Sequence, residues 1–306
     1  MGTEKVHLTG DKETLLATLY GRAVHSRTED PVLRDPLAQQ AVERIDYDFS
    51  KLKIRATDAL SVAIRAKTFD TLTAAHLARK PDTTVIHLAC GLDTRAYRLD
   101  LPETVQWFDI DYPDIIALRE RLFPPHPGDT TTHLDDTTTG PGEAITGPSE
   151  AVNARGEAET RARYTMIGLP ATDPGWLERV PDDRPVLVVA EGLMMYLTTE
   201  EVHALLRRIT NRFPSGEIVF DALSSLAVKL SRFQPAIRST GATLRWGLDD
   251  PAELTADNPR LHLAEQLFFS DVPEVECFPA GYRAALAVMN RFYFLRKVGR
   301  ILRYRF

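Results

Sequence analysis

A glycine turn and a pair of acids, separated by about one β-α-β unit, are the residues of this chain best suited to bind a small charged ligand. Residues 87–95 read HLACGLDTR, in which a buried strand ends at a tight turn around Gly91. Because glycine has no side chain, such a turn lets the backbone approach a ligand closely. An acid at the end of the next strand is the usual acceptor for ribose hydroxyls, and Asp109 and Asp111 stand there, the second 20 residues after Gly91. Together these residues predict a nucleotide-cofactor site.

The charge of the turn favours a cofactor without phosphate groups. A dinucleotide site has the pattern G-x-G-x-x-G with a pyrophosphate on the helix N-terminus, whereas this turn keeps only Gly91 and places Asp93 where a phosphate approaches. S-adenosylmethionine has no phosphate, and it carries a cationic sulfonium and an ammonium group. The turn therefore favours S-adenosylmethionine, and a nicotinamide-dependent oxidoreductase on a similar sheet stays open as the alternative.

Alternating strands and helices are predicted to position these residues. Apolar side chains at helical spacing predict helices over residues 13–26 and 57–79, and two Asp-Pro pairs between them indicate turns over residues 28–37. Further helices are predicted over residues 113–122 and 199–212. Seven strands are predicted over residues 84–89, 105–110, 164–168, 186–190, 218–220, 263–269 and 301–306. This order predicts an α/β fold, in which a parallel sheet carries helices on both faces.

Composition and charge argue against several classes of partner. The chain has 306 residues, of which 43% are apolar and 26% charged, as in ordinary globular proteins. Its net charge of −6 argues against a nucleic-acid-coating surface. The two cysteines, Cys90 and Cys277, make neither a disulfide framework nor a zinc site, which predicts a cytoplasmic protein without a bound metal. Neither a signal peptide nor a stretch of roughly 20 apolar residues is visible, so no membrane partner is expected.

Residues 124–161 differ from the rest of the chain in composition. The segment is crowded with Thr, Gly, Pro and Glu and has few large apolar side chains. Such a segment cannot offset the entropy of its own ordering by burial. We therefore predict a flexible insertion, either a lid or a disordered segment, with disorder favoured.

Motifs along most of the chain resemble those of one enzyme family. Residues 88–99, LACGLDTRAYRL, are similar to the glycine motif of the leucine carboxyl methyltransferase superfamily, in particular its tetracenomycin-type polyketide O-methyltransferases. Further matches are LYGRA (19–23), DPVLRDP (30–36), RAKTFD (65–70), DIDYP (109–113), EGLMMYL (191–197), WGLDD (246–250) and RYRF (303–306). The resemblance implies S-adenosylmethionine as the cofactor. It also implies an N-terminal helical cap (residues 1–80) and a class I, Rossmann-like methyltransferase domain with a seven-stranded sheet (residues 81–306).

The resemblance also implies which residues bind the cofactor. Arg65, with help from Arg22, is expected to pair with the methionine carboxylate, a task that suits the two parallel donors of a guanidinium. Gly91 is expected against the methionine and ribose, and Asp111 on the ribose hydroxyls. Glu191 is expected to face the methionine end.

Two departures from the family pattern and two aromatic residues complete the predicted site. The first glycine of the motif is Ala89 here, which brings a methyl group close to the cofactor path. Pro170 stands at the polar position near the adenine, so that contact is expected from the backbone of Ala171. Tyr196 and Trp246 are expected to line the substrate pocket.

The predicted reaction is methyl transfer to an oxygen atom of a small aromatic or polyketide-like substrate. A carboxylate is ionised at neutral pH and needs no general base, whereas a phenol, with a pKa of about 10, profits from one. No His-Asp or His-Glu pairing is legible in the sequence, which favours a carboxylate. A phenolic O-methyltransferase, a protein carboxyl methyltransferase and a catalytically silent cofactor-binding protein stay open as alternatives.

Overall fold

The centre of the protein is a seven-stranded sheet, seen in a computed structural model that describes residues 4–6, 13–126, 163–231 and 242–306. The strands are β1 (Glu4–Lys5), β2 (Ile45–Asp46), β3 (Thr84–Leu88), β4 (Gln106–Asp111), β5 (Arg163–Gly168), β6 (Val186–Ala190), β7 (Gly216–Leu223), β8 (His262–Phe268) and β9 (Gly299–Arg305). Strands β3 to β9 make the large sheet, while β1 and β2, which the sequence did not predict, form a separate parallel pair.

The strand order places one crevice in the sheet. The order is β5-β4-β3-β6-β7-β9-β8, with parallel pairing from β5 through β7, and β9 antiparallel to both β7 and β8. Six strands therefore run in one direction and only β9 runs against them. Because β3 has β4 on one side and β6 on the other, the order reverses there, and a ligand crevice opens outside the carboxyl ends of such strands. The prediction of an α/β fold with seven strands is confirmed, but the predicted parallel sheet is a mixed one, because β9 runs antiparallel to its neighbours.

Helices cover both faces of the large sheet. They are α1 (Glu13–Ser26), α2 (Pro36–Arg44), α3 (Ala56–Arg79), α4 (Arg95–Arg98), α5 (Pro113–Leu122), α6 (Gly175–Arg179), α7 (Thr199–Arg212), α8 (Ser225–Ser231), α9 (Ala252–Asp257), α10 (Ala280–Asn290) and α11 (Tyr293–Arg296). Successive side chains of a strand point to opposite faces. Accordingly, Val85 of β3 packs with Phe69 of α3, whereas Ile86 packs in the cluster that contains Trp176 of α6 and Leu205 of α7. No helix within the described ranges is long and apolar enough to cross a membrane.

The N-terminal helices form a layer that is continuous with the sheet. Leu16 and Leu19 of α1 pack with Ala38 of α2 and Leu118 of α5. Phe69 and Leu77 of α3 lie in one core cluster with Val85 of β3 and Leu187 of β6, so the N-terminal helices and the sheet share a core.

Two local expectations differ from the structure, and a third is left untested. The pair Asp35-Pro36 starts helix α2 rather than a turn, because the Asp35 side chain accepts from Ala38 N and proline suits the first helical position. Strand β3 ends one residue earlier than expected because Ala89 has a left-handed backbone. Most of the predicted insertion, from residue 127, lies outside the described residues, but His126 at its start is buried and stacks on Tyr164, with 4.7 Å between ring centroids.

Candidate active site

The carboxyl ends of β3, β4 and β6 open into a cavity of about 400 Å³, which α1 and α3 also line. This volume lies within the range of roughly 300–1,000 Å³ that is typical of small-molecule sites. Its lining includes eight of the nine predicted site residues, namely Arg22, Arg65, Ala89, Gly91, Asp111, Ala171, Glu191 and Tyr196. The structure thus brings together residues from helices and strand ends that are far apart in the sequence.

The glycine turn after β3 is held by the carboxylate of Asp111. Asp111 Oδ2 accepts from Gly91 N at 2.7 Å, and Asp111 Oδ1 accepts from Tyr112 N at 2.7 Å. Gly91 has a φ of +50° and Ala89 a φ of +51°, a region that costs an alanine roughly 1–2 kcal/mol. Burial raises the pKa of the Asp111 carboxyl more than these two N–H groups lower it. Asp111 therefore shapes the turn and also presents an acceptor to the cavity.

The end of β6 carries an ion-paired cluster around Arg65. Arg65 Nε donates to Glu191 Oε1 at 2.9 Å, and its Nη1 donates to Asp221 Oδ2 at 3.3 Å. Burial lowers the pKa of Arg65, but the two carboxylates outweigh that effect and hold it above its usual range. Burial raises the pKa of Glu191, but the neighbouring Arg65 and Arg95 outweigh it and hold the carboxyl ionised. The predicted pair of Arg65 and Glu191 therefore meets at one end of the cavity with its charges intact.

A buried network of arginines and acids supports this cluster. Arg95 is fully buried, donating from Nη2 to Glu191 Oε2 at 2.6 Å and from Nε to Asp70 Oδ1 at 2.7 Å. Arg98 donates to Asp70 Oδ2 at 2.9 Å and to Asp93 Oδ1 at 2.8 Å. Since both oxygens of Glu191 have fixed partners, its orientation is set by the fold before any ligand arrives.

Arg22 joins α1 to the glycine turn. Its Nε donates to Asp35 Oδ2 at 2.9 Å and its Nη2 donates to the carbonyl of Leu92 at 2.7 Å. Arg22 is almost fully buried and lines the cavity. These contacts make it a positioning residue for the turn.

Asp93 occupies the place where a pyrophosphate binds in dinucleotide folds. Its Oδ1 accepts from Arg95 N at 2.9 Å at the start of α4, so it takes up a backbone donor that a phosphate needs. Arg95 and Arg98 neutralise its charge. The sequence suggested that the negative charge of Asp93 keeps a phosphate away. In the structure the main reason is that Asp93 already accepts the hydrogen bond of the Arg95 N–H group.

A buried His-Asp pair, which the sequence did not reveal, lies beside the cavity. His87 Nδ1 is 3.1 Å from Asp109 Oδ1, and His87 Nε2 is 3.2 Å from Arg95 Nη1. An arginine only donates, so Nε2 accepts from it and Nδ1 carries the proton given to Asp109. Both ring nitrogens are thus engaged, and His87 has no lone pair free to take a proton from a substrate. Outside the cavity, two further pairs join His76 to Glu217 and His203 to Asp257.

The two aromatic predictions have different outcomes. Tyr196 lines the cavity, but Trp246 is not among the described residues that do so. Trp246 is 3% exposed and its ring packs against Phe220 in the core, with 6.3 Å between centroids. The expected substrate contact of Trp246 is therefore wrong, because the apolar ring is buried under β7. Ala171 lines the cavity, and its carbonyl accepts from Trp176 Nε1 at 3.0 Å.

Several supporting residues escaped the sequence reasoning. Arg95 and Arg98 lie in the glycine motif, so their type and position were visible there. Asp221 is a buried acid in the apolar strand β7, which is itself a signal because charges are seldom buried without a partner. Arg245, which also lines the cavity, has no local signal. Among the described residues, no group of three or more His, Cys, Asp or Glu side chains is arranged to hold a metal ion.

Comparison with known proteins finds a matching family and relatives that span most of the chain. The model of the family described as leucine carboxyl methyltransferase matches residues 16–210. The chain is 38% identical over 303 residues to the tetracenomycin polyketide synthesis O-methyltransferase TcmP of Streptomyces glaucescens, covering 99% of both chains. It is also 38% identical over 281 residues to the S-adenosyl-L-methionine-dependent methyltransferase dpfgK of Gibberella zeae, covering 86% of this chain and 84% of that one. A solved DUF574 family protein from Streptomyces avermitilis has the same fold, with a TM-score of 0.52 and 14% identity over 94% of this chain and 96% of its own.

Fold and cavity define a methyltransferase of the α/β class. The chain belongs to the leucine carboxyl methyltransferase family. The family predicted from the sequence motifs is confirmed, and the alternative of a nicotinamide-dependent oxidoreductase is excluded by this membership.

Proposed function

We propose that this enzyme methylates the carboxylate of a small aromatic, polyketide-like acid, with S-adenosylmethionine as the methyl donor. The donor and the O-methyltransferase class follow from the family and from the two relatives that match most of the chain. The choice of a carboxylate as the methylated group depends on the side chains that line the cavity.

The cavity residues fit S-adenosylmethionine. Arg65 offers donors for the methionine carboxylate, while Glu191 offers an acceptor for the ammonium group. Asp111 offers an acceptor for the ribose hydroxyls beside a backbone turn that Gly91 leaves open. When bound, the cofactor supplies an electrophilic methyl group on its sulfonium. The protein's part is to fix the acceptor oxygen in line with that methyl group, and such positioning supplies a large share of the rate.

The observation that carries the carboxylate assignment is that the acid and imidazole side chains of the described lining, Asp93 and Asp111 among them, already have hydrogen-bond partners. Both nitrogens of His87 have partners, and both oxygens of Glu191 are bound by arginines. Glu201 accepts from Thr198 N at 2.8 Å in the capping box of α7. A phenol needs a group that takes its proton, whereas a carboxylate with a pKa of about 4 is ionised without one. The arrangement therefore favours a nucleophile that arrives ionised.

The test uses an aromatic substrate that bears both a carboxyl and a phenol, such as 3-hydroxy-2-naphthoic acid. After incubation with labelled S-adenosylmethionine, we expect the label in a methyl ester, which mild alkali hydrolyses. A label that survives alkali is an aryl methyl ether, and it supports the phenolic alternative instead. A pH profile gives a second reading, because methylation of a carboxylate stays flat above about pH 5–6, whereas that of an unassisted phenol rises with pH.

The remaining alternatives are decided in the same assay. Transfer to a peptide ending in a leucine carboxylate, but not to the naphthoate, supports the protein carboxyl methyltransferase. Cofactor binding without transfer to any acceptor supports the catalytically silent protein, for which the strained Ala89 is the motivating residue. The cytoplasmic location and the absence of a nucleic-acid partner stay predictions from the two cysteines and the acidic net charge.

A further inference from the structure

Arg245 differs from the other two arginines that line the cavity. Arg22 is paired with Asp35, and Arg65 is paired with Glu191 and Asp221. The side chain of Arg245 has no hydrogen bond or ion pair to any of the residues that the structure describes, and it is solvent-exposed at the cavity. Its guanidinium group is therefore available to a ligand that binds in the cavity.

The backbone around Arg245 is fixed, so this guanidinium does not belong to a free loop. Arg245 N donates to the carbonyl of Met195 at 2.8 Å, and Trp246 N donates to the same oxygen at 3.2 Å. The buried Trp246 ring anchors the next residue in the core, and Leu248 N donates to the carbonyl of Leu223 at 2.8 Å.

Two further contacts tie the same segment to the end of β7. Gly247 lies so close to the backbone of Ser225 that a Cβ atom there would be 2.7 Å from Ser225 Cα. Asp249 Oδ1 accepts from Ser225 N at 3.0 Å, at the start of α8. The motif WGLDD thus acts as an anchor, and Trp246 positions its neighbour Arg245 instead of touching substrate.

Arg245 lines the same cavity as Arg65 and Glu191, beside the loop that follows β6. Its backbone partner Met195 also lines the cavity and belongs to the loop after β6 that begins with Glu191. Glu191 and Arg65 mark the methionine end, where the methyl group is carried. An acid whose carboxylate pairs with Arg245 is therefore held in the same cavity as the methyl donor.

We propose that Arg245 binds the carboxylate of the acceptor substrate and selects anionic aromatic acids over uncharged analogues. This inference rests on the proposed function, since it names the residue that receives the acid. A planar guanidinium matches a carboxylate through two parallel N–H···O bonds, which fixes orientation as well as affinity. One such contact leaves the second lone pairs of both oxygens available to the methyl group.

The experiment measures binding apart from turnover. The protein is saturated with S-adenosylhomocysteine and titrated by calorimetry with 3-hydroxy-2-naphthoic acid or with the matching carboxamide, which has no charge. We expect the wild-type protein to prefer the acid, and Arg245→Gln to weaken acid binding by roughly tenfold to hundredfold while amide binding stays unchanged. Arg245→Lys, which keeps the charge but loses the planar fork, should fall between the two.

Controls separate this role from general damage. The affinity of Arg245→Gln for S-adenosylmethionine should stay within about twofold of the wild type, because Arg65 and not Arg245 faces the methionine carboxylate. The matched control is Arg179→Gln, an exposed arginine that does not line the cavity and has no partner among the described residues. It should change neither affinity.

Failure of this inference and failure of the proposed function give different results. If the wild type makes the methyl ester but Arg245→Gln binds the acid as tightly as before, the role of Arg245 is wrong and the carboxylate assignment stands. If the acid binds through Arg245 but only the phenol is methylated, the carboxylate assignment is wrong. Equal binding of acid and amide by the wild type, or binding of neither, overturns the selection by Arg245.

Discussion

Replacing Asp111 with alanine tests the link between the glycine turn and the cofactor. The change removes the acceptor of two backbone N–H groups, those of Gly91 and Tyr112, and the acceptor expected for the ribose. The role that the family resemblance implies for Asp111, a contact with the ribose hydroxyls, predicts weaker cofactor binding. The structure adds that the fold loses stability too, because Asp111 joins the end of β4 to the turn after β3.

The two effects have separate magnitudes. A buried donor left without a partner costs roughly 1–3 kcal/mol. Tyr112 is 45% exposed, so water reaches that end more readily and the cost falls mainly on Gly91 N. We therefore expect the free energy of unfolding to drop by about 1–3 kcal/mol without cofactor. Losing the hydrogen bonds to a charged acceptor should weaken S-adenosylmethionine binding by roughly tenfold to hundredfold.

Urea unfolding without ligand measures the first effect, and calorimetric titration with S-adenosylmethionine well below the unfolding midpoint measures the second. Asp111→Asn keeps one acceptor oxygen and should lie between the wild type and Asp111→Ala in both measurements. Asp100→Ala, an exposed acid that does not line the cavity, is the control and should change neither. An unchanged dissociation constant in a folded variant refutes the cofactor contact, and an unchanged unfolding midpoint refutes the anchoring of the turn.

Three further changes probe other parts of the site and fold. Arg65→Lys should weaken S-adenosylmethionine binding by about tenfold in calorimetry. The ammonium group of lysine lacks the planar set of donors that binds Glu191 and Asp221 and still faces the methionine carboxylate. Unchanged affinity contradicts the role of Arg65. Ala89→Gly should raise the free energy of unfolding by up to about 1 kcal/mol in urea, because relief of the left-handed backbone exceeds the entropy cost of glycine; a loss of stability shows that the methyl group packs. Burial raises the pKa of Glu217, but hydrogen bonds from His76 and Arg303 outweigh it and lower the pKa to about 2. This carboxylate stabilises the fold above its unfolded pKa of 4.5 and loses that effect as the pH falls towards 2, so Glu217→Gln should destabilise at pH 7 and hardly at all near pH 2; an equal loss at both pH values argues against the ion pair.

The sequence predicted the elements well where local patterns decide them. Helix α1 and strand β6 have the predicted bounds, because apolar periodicity and flanking breakers act within a few residues. The start of helix α2 was predicted as a turn, because Asp-Pro suits both, and only the contact of the Asp35 side chain with Ala38 N decides between them.

The site residues, too, divide into those that local sequence patterns reveal and those that depend on tertiary contacts. The glycine turn and Asp111 were legible because the β-α-β unit fixes their spacing, and the family motifs supplied Arg65 and Glu191. The sequence did not show which side chains bond to each other, because partners such as Arg65 and Glu191 are 126 residues apart. That Arg245 has no side-chain partner among the described residues was not legible either, because it depends on contacts that only the folded chain makes.

Tertiary structure also decided what each residue can do. In the sequence, His87 had no visible acidic partner, and Trp246 was a candidate for the substrate pocket. Folding placed His87 between Asp109 and Arg95, which occupy both its nitrogens, and buried Trp246 against Phe220. Sequence by itself determined the fold class, the family and the cofactor, because these depend on local patterns and on motifs in order. Only the tertiary structure determined which side chains of the site are paired and that Arg245 has no side-chain partner among the described residues, because partners in a buried site come from elements that are far apart in the sequence.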